Sequence, residues 1–198
     1  MPVSSVAELK ERIEWLEREL PPNPPRFKIY DALPFAILRY DPDQEWQLRR
    51  EVRHLATRLK NAGIHVEAIS LAELMWAAIE SSEGIEAIEN LERSLGFIAA
   101  QKQINTYLGD ADFSPLVDTL SDRLNALDPS KSVAFLTRAA ALAPNIYPIS
   151  QLLEEMQGRT RTPAILFYPG ILEGANRLRF MGMPDRDSLG NYRVKIYG

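Results

Sequence analysis

Three groups of chemically capable residues each follow a short apolar run. Arg39, Tyr40 and Asp41 close the run that starts at Pro34, Thr137 and Arg138 close the run from Ser132, and Tyr168, Pro169 and Gly170 close the run from Pro163. If the runs are parallel strands, these residues meet beyond the carboxyl ends of the sheet, where open α/β sheets hold their ligands. Arg39, Tyr40, Arg138, Tyr168 and Gly170 therefore form the candidate cleft, rich in guanidinium and phenol groups. The apparatus of a nucleotide site is incomplete. No GxxxxGKS/T loop exists, no GxGxxG follows the first run, and the segment from Tyr168 to Gly174 has no Lys, Ser or Thr to serve phosphates. Pro169-Gly170 is expected to be a tight turn in which glycine supplies the backbone angle.

Other chemistries find little material. There are no cysteines and only two histidines, His54 and His65, which excludes thiol nucleophiles and cysteine-held metals and leaves little for a multi-histidine site. Neither histidine has an HExxH-type partner spacing, and both read as structural. Asp41, Asp43 and Glu45 resemble a carboxylate cluster able to hold magnesium, but acids at a helix start ordinarily cap it and complement its dipole, and Asp41 is expected as that cap. Glu80, Glu83, Glu86, Glu89 and Glu92 recur every third residue, the pattern of a solvated helical face, with an acidic docking stripe as the minority reading. No metal and no cofactor is expected.

Charge is uneven along the 198 residues. The net charge is −4, yet from Arg159 onward seven basic residues (Arg159, Arg161, Arg177, Arg179, Arg186, Arg193, Lys195) face three acidic ones (Glu173, Asp185, Asp187), so the last forty residues carry +4 and the remainder −8. Two basic-apolar alternations lie in this tail. One contains Arg177, Arg179 and Phe180, and the other Tyr192, Arg193, Lys195 and Tyr197. They read equally as amphipathic strands with basic outer faces and as a surface meeting a partner protein or a nucleic-acid backbone.

The elements that must position these residues follow from periodicity. Ser5 and Glu8 form a capping-box pattern, and apolar positions from Val6 to Leu20 recur at helical spacing, predicting a helix over 1–20. A proline-rich linker over 21–26 follows, so this helix is expected to pack as an arm outside the main core. Strands are predicted at 34–40, 64–69, 132–137, 163–168 and 192–197, the last half-exposed at a sheet edge. Helices are predicted from Pro42 to Ala62, from a Ser70 cap onward, and over Ser150–Gln157. Residues 71–127 read as a helical insertion or lid, broken near Gly84, at Gly109 and at Ser114-Pro115, where the serine caps. The result is a single α/β domain over 27–198: three layers, a mainly parallel central sheet, the helical insertion, and an edge strand that could run antiparallel. No apolar stretch approaches a membrane span, and the charged N-terminus is unlike a signal peptide, so a cytoplasmic protein is expected.

Whole phrases carry a resemblance. Leu33-Pro34-Phe35-Ala36-Ile37-Leu38-Arg39-Tyr40, Ile69-Ser70-Leu71-Ala72-Glu73-Leu74, Ala143-Pro144-Asn145-Ile146-Tyr147-Pro148, Thr162 to Gly170, Leu178-Arg179-Phe180-Met181 and Asn191 to Tyr197, in this order from about Phe27 to the C-terminus, resemble the BrxB family of BREX bacteriophage-defence systems. The resemblance implies a cytoplasmic, non-enzymatic defence protein that assembles with PglZ, an alkaline-phosphatase-like protein, and more loosely with the system's ATPase and DNA methyltransferase. It brings no catalytic residues. An adaptor with Arg177, Arg179, Phe180, Tyr192, Arg193, Lys195 and Tyr197 in its partner surface is the expected function. A nucleic-acid-binding subunit and a degenerate nucleotide-binding domain that keeps a ligand on Arg39, Arg138 and Tyr168 are the alternatives.

Overall fold

Alternation of side chains along each strand divides the apolar residues of the central sheet into two sets, and each set is covered by its own helices. The computed structural model describes residues 6–20, 24–25, 27, 33–143, 146–173, 177–182 and 194–198. Its described elements, in order, are α1 (Val6–Glu19), β1 (Phe35–Tyr40), α2 (Glu45–Asn61), β2 (His65–Ser70), α3 (Leu71–Ser81), α4 (Ile85–Leu95), α5 (Phe97–Gly109), α6 (Leu116–Asn125), β3 (Ser132–Thr137), α7 (Ile149–Glu155), β4 (Ala164–Glu173), β5 (Arg177–Phe180) and β6 (Lys195–Tyr197). The strand order is β2-β3-β4-β1-β6, all parallel, with β5 antiparallel on the far half of β4. This is the expected α/β sandwich with a mainly parallel sheet and an antiparallel edge strand.

Ala36, Leu38 and Tyr40 of β1 pack with Val133, Phe135, Ile165 and Phe167 beneath α1 and α2. Phe35 and Ile37 pack with Ala134, Leu136, Leu166 and Tyr168 beneath α3, α5, α6 and α7. Two sequence expectations change here. The first helix is not an arm: Leu9, Ile13, Leu16 and Leu20 are almost wholly buried in the first of these cores, each contributing about 1.5–3 kcal/mol. Glu17 of α1 also accepts from Arg58 of α2 at 2.9–3.0 Å. The 71–127 stretch is not a lid as a whole, because α3, α5 and α6 supply much of the second core. Only α4 stands out from it, burying Ile88 alone.

Local capping agrees in part. Ser70 Oγ accepts from the Glu73 backbone N–H at 3.2 Å and opens α3 as predicted. Asp41 occupies the cap position before the Pro42–Gln44 turn but makes no side-chain cap bond, because its carboxylate pairs with Arg39 at 2.7 Å. Ser114 does not cap α6 either: its hydroxyl pairs with Ser81 Oγ at 2.9 Å, and Pro115 takes the cap position. The Ser5 capping box lies outside the described residues.

Pro169-Gly170 is not a turn. The strand continues through it to Glu173, and the backbone passes there from parallel pairing with β1 (Tyr40 opposite Pro169) to antiparallel pairing with β5 (Gly170 opposite Phe180). Glycine is needed for close approach, since a Cβ at position 170 would overlap the Arg179 carbonyl oxygen and the Tyr168 ring.

Candidate functional site

The connections explain where a cleft forms. The chain leaves β1 for α2 on one face, and leaves β2 and β3 for helices on the other, so the layers part at the carboxyl ends of the strands. A cleft of about 440 Å³ opens there, with Tyr40 and Glu45 after β1, Ala72 after β2, Arg138 after β3, Pro169 within β4 and Met181 after β5 among its lining residues.

Its polar groups form two sets. Tyr40 donates its phenol to Glu45 Oε2 at 2.5 Å, and Glu45 Oε1 accepts from Arg49 Nε at 2.8 Å. Arg49 also lies over the Trp46 ring, 4.8 Å from its centroid. Burial, and then the Glu45 carboxylate, push the Tyr40 phenol well above its ordinary value. On the other wall, among the described residues, Arg138 approaches Glu73 at 3.9 Å, a pair too long for a hydrogen bond.

Backbone strain concentrates at the same place. Among the described residues, Arg138 (φ 57°) and Met181 (φ 53°) are the non-glycine residues in the left-handed region, and both line the cleft. Each such conformation costs on the order of 1–2 kcal/mol in a residue with a Cβ. Arg138 holds it while its carbonyl accepts from the Ala141 N–H at 3.1 Å to start a short 3-10 turn. Met181 holds it while its own N–H donates to the Pro169 carbonyl at 2.9 Å.

Tyr40 and Arg138 thus meet at the cleft. Arg39 does not: it pairs with Asp41, and burial, followed by the Arg39 charge, lowers the affinity of Arg12 on α1 for its proton. Tyr168 is fully buried below, edge-on to Phe180 with ring centroids 5.3 Å apart, and Gly170 is buried against it. Sequence reasoning missed Arg49 as a lining residue. Its signal was present as a Glu45–Arg49 pair four apart in the first turns after β1. Met181 gave no signal beyond closing the basic-apolar segment that reads as a strand. The described lining residues include no Ser, Thr, Cys, His or Lys. Asp41 and Glu45 are engaged separately, and among the described residues no three His, Asp or Glu side chains gather at metal-binding spacing. His54 and His65 lie exposed beside Glu51 and Glu67, at 3.8 and 3.9 Å.

The tail residues serve two places. Glu19 of α1 accepts from Lys195 Nζ, from the Tyr197 phenol at 2.9 Å and from Trp15 Nε1 at 2.8 Å. Trp15 and Tyr197 meet edge-to-face at 4.9 Å. The Lys195 hydrogen bond, ahead of the others, holds the Glu19 carboxyl below its ordinary range, and burial followed by Glu19 raises the Tyr197 phenol. Lys195 and Tyr197 therefore bind α1. Arg177 and Arg179 lie opposite Glu173 and Ile171 in the β4–β5 pair, and Phe180 covers Tyr168. Tyr192 and Arg193 lie outside the described residues.

A second surface extends the acidic stripe of the sequence reading with apolar residues that it had not singled out. Gly96 alone separates α4 from α5, in a conformation (φ 85°, ψ 169°) that suits only glycine. So sharp a break turns Leu95, Phe97 and Ile98 outward, 72%, 55% and 62% exposed. Glu86, Glu89 and Glu92 are exposed along α4 beside them. Among the described residues no helix is long and apolar enough to cross a membrane.

A family model described as BREX protein BrxB matches residues 67–196. The match covers more than half of the chain, from within β2 to within β6, and the chain belongs to that family. It includes Arg138, Met181 and the α4–α5 junction, and it starts later than the resemblance from Phe27. No curated protein matches the chain.

Proposed function

We propose that this member of the BrxB family, and hence of a BREX phage-defence system, is a non-enzymatic adaptor that binds the system's PglZ-like protein through the α4–α5 junction. The supporting observation is the exposure of Leu95, Phe97 and Ile98 together, beside the exposed acidic residues of α4. Large apolar side chains at a one-residue helix break gain nothing from solvent, and contiguous exposed apolar area marks interaction sites. The acidic residues of α4 beside them suit a partner segment that is apolar with basic flanks. The tail is the weaker candidate, because Lys195 and Tyr197 are bound to Glu19. The ATPase and methyltransferase of the system would join through the same assembly.

The test is co-purification of the tagged chain with the PglZ-like protein. A Leu95→Asp/Phe97→Asp/Ile98→Asp variant should lose most of the recovered partner while keeping its circular dichroism, and an Arg179→Glu/Arg193→Glu variant should keep it. Loss with the second variant alone moves the interface to the tail, full recovery with both removes the junction and the tail from the interface, and no recovery with the unmodified chain overturns the adaptor reading.

A further inference from the structure

The cleft at the carboxyl ends of β1, β3 and β4 has features that no docking role uses. Its volume of about 440 Å³ falls in the range of small-molecule sites. Two cations line it with donors to spare. Among the described residues the Arg138 guanidinium makes no hydrogen bond and has Glu73 nearby at 3.9 Å. Arg49 gives Nε to Glu45 and keeps both terminal NH2 groups. Ala72, the second residue of the eleven-residue α3, brings the positive end of that helix dipole to the same wall. Between them Pro169, Ala140 and Ala141 form an apolar surface.

The choice of residue at position 138 is informative. A left-handed turn after a strand is best served by glycine or asparagine, yet here an arginine holds it, at φ 57° and ψ 35°. The strain is accepted at a position whose guanidinium lines the cleft and is loosely paired with Glu73, and strained residues of this kind collect at ligand sites.

We propose that this cleft binds a small phosphate monoester with an apolar or aromatic body, the phosphate lying between Arg138 and Arg49 at the start of α3 and the body on the Pro169–Ala140 wall. A dianion matches two guanidiniums and a helix N-terminus better than a single carboxylate does, and it competes there with Glu45 for Arg49 and with Glu73 for Arg138. The inference stands independently of the adaptor reading.

Thermal-shift and calorimetric titrations of the full chain with adenosine monophosphate, inorganic phosphate and adenosine separate the contributions. Adenosine monophosphate should bind saturably and raise Tm, with phosphate and adenosine each weaker by about tenfold or more, the loss expected when a charge-assisted contact or the apolar body is missing. Arg138→Gly should weaken adenosine monophosphate by about tenfold, while its unliganded Tm holds or rises, because glycine relieves the left-handed backbone. That split separates a binding role from a structural one. No saturable binding at millimolar adenosine monophosphate, equal binding of adenosine, equal binding of inorganic phosphate, or unchanged affinity in Arg138→Gly each overturns the proposal.

Discussion

β6 and the α4–α5 junction each combine large apolar groups with charges, and they use them in opposite ways. In β6, Lys195 and Tyr197 meet Glu19 and Trp15, so one carboxylate takes three donors and one aromatic pair closes over it. At the junction, Leu95, Phe97 and Ile98 face solvent with no such closure. The first arrangement ties the N-terminal helix to the far edge of the sheet. The second leaves most of its apolar surface uncovered in the isolated fold, so that surface is available to a partner. Surface chemistry that looks alike by residue type separates by what it already touches.

The strongest way to break this contrast is to attack the helix that β6 holds. Leu16 is fully buried between α1 and the sheet, and Leu16→Ala should cost about 2–5 kcal/mol. Urea unfolding reads this as a lowered midpoint with an unchanged slope. A change within about 0.5 kcal/mol would return α1 to the role of a loose arm.

A smaller, pH-dependent effect separates the regions without disturbing packing. Burial first, and carboxylate partners second, raise the phenols of Tyr40, Tyr147 and Tyr197 above their ordinary value of 10. The folded state then keeps protons that the unfolded chain releases, so this stability is complete below pH 10 and falls as pH rises beyond it. Glu19 acts at the other limit. Its depressed folded value makes its contribution complete above the ordinary 4.5 and lost as pH falls through that lower value. Urea midpoints measured from pH 3 to pH 11 should decline at both ends, and Tyr197→Phe should flatten the alkaline decline. An alkaline profile identical to that of the parent would remove Tyr197 from the coupling.

Much of the framework was legible because periodicity reports burial. The apolar runs at 34–40, 132–137 and 163–168 are buried on both faces, as parallel strands between helical layers must be. What escaped was set by pairing between distant segments. Pro169-Gly170 looks like a turn in isolation, and only the arrival of β5 makes it the point where a strand changes partners. Asp41 looks like a cap until Arg39 competes for its carboxylate. The cleft was half visible: strand ends pointed to Tyr40 and Arg138, whereas alternation sends Tyr168 into the core, and Arg49 arrives from a helix. The linker alone suggested a detached first helix, while the apolar stripe of that helix matched an uncovered sheet face that the strand order had yet to reveal.

The smallest expected effect bears most directly on the junction. Leu95→Ser and Ile98→Ser replace exposed side chains that make no closed contact, so each should change unfolding stability by no more than about 0.5 kcal/mol. A cost above about 1 kcal/mol would mean that the side chains already pack against their own chain, and the difference from β6 would vanish. Near-zero cost sharpens it, because exposure of this size then has no folding rationale. Combined with loss of the PglZ-like partner, neutral stability would place the energetic value of these residues in the complex.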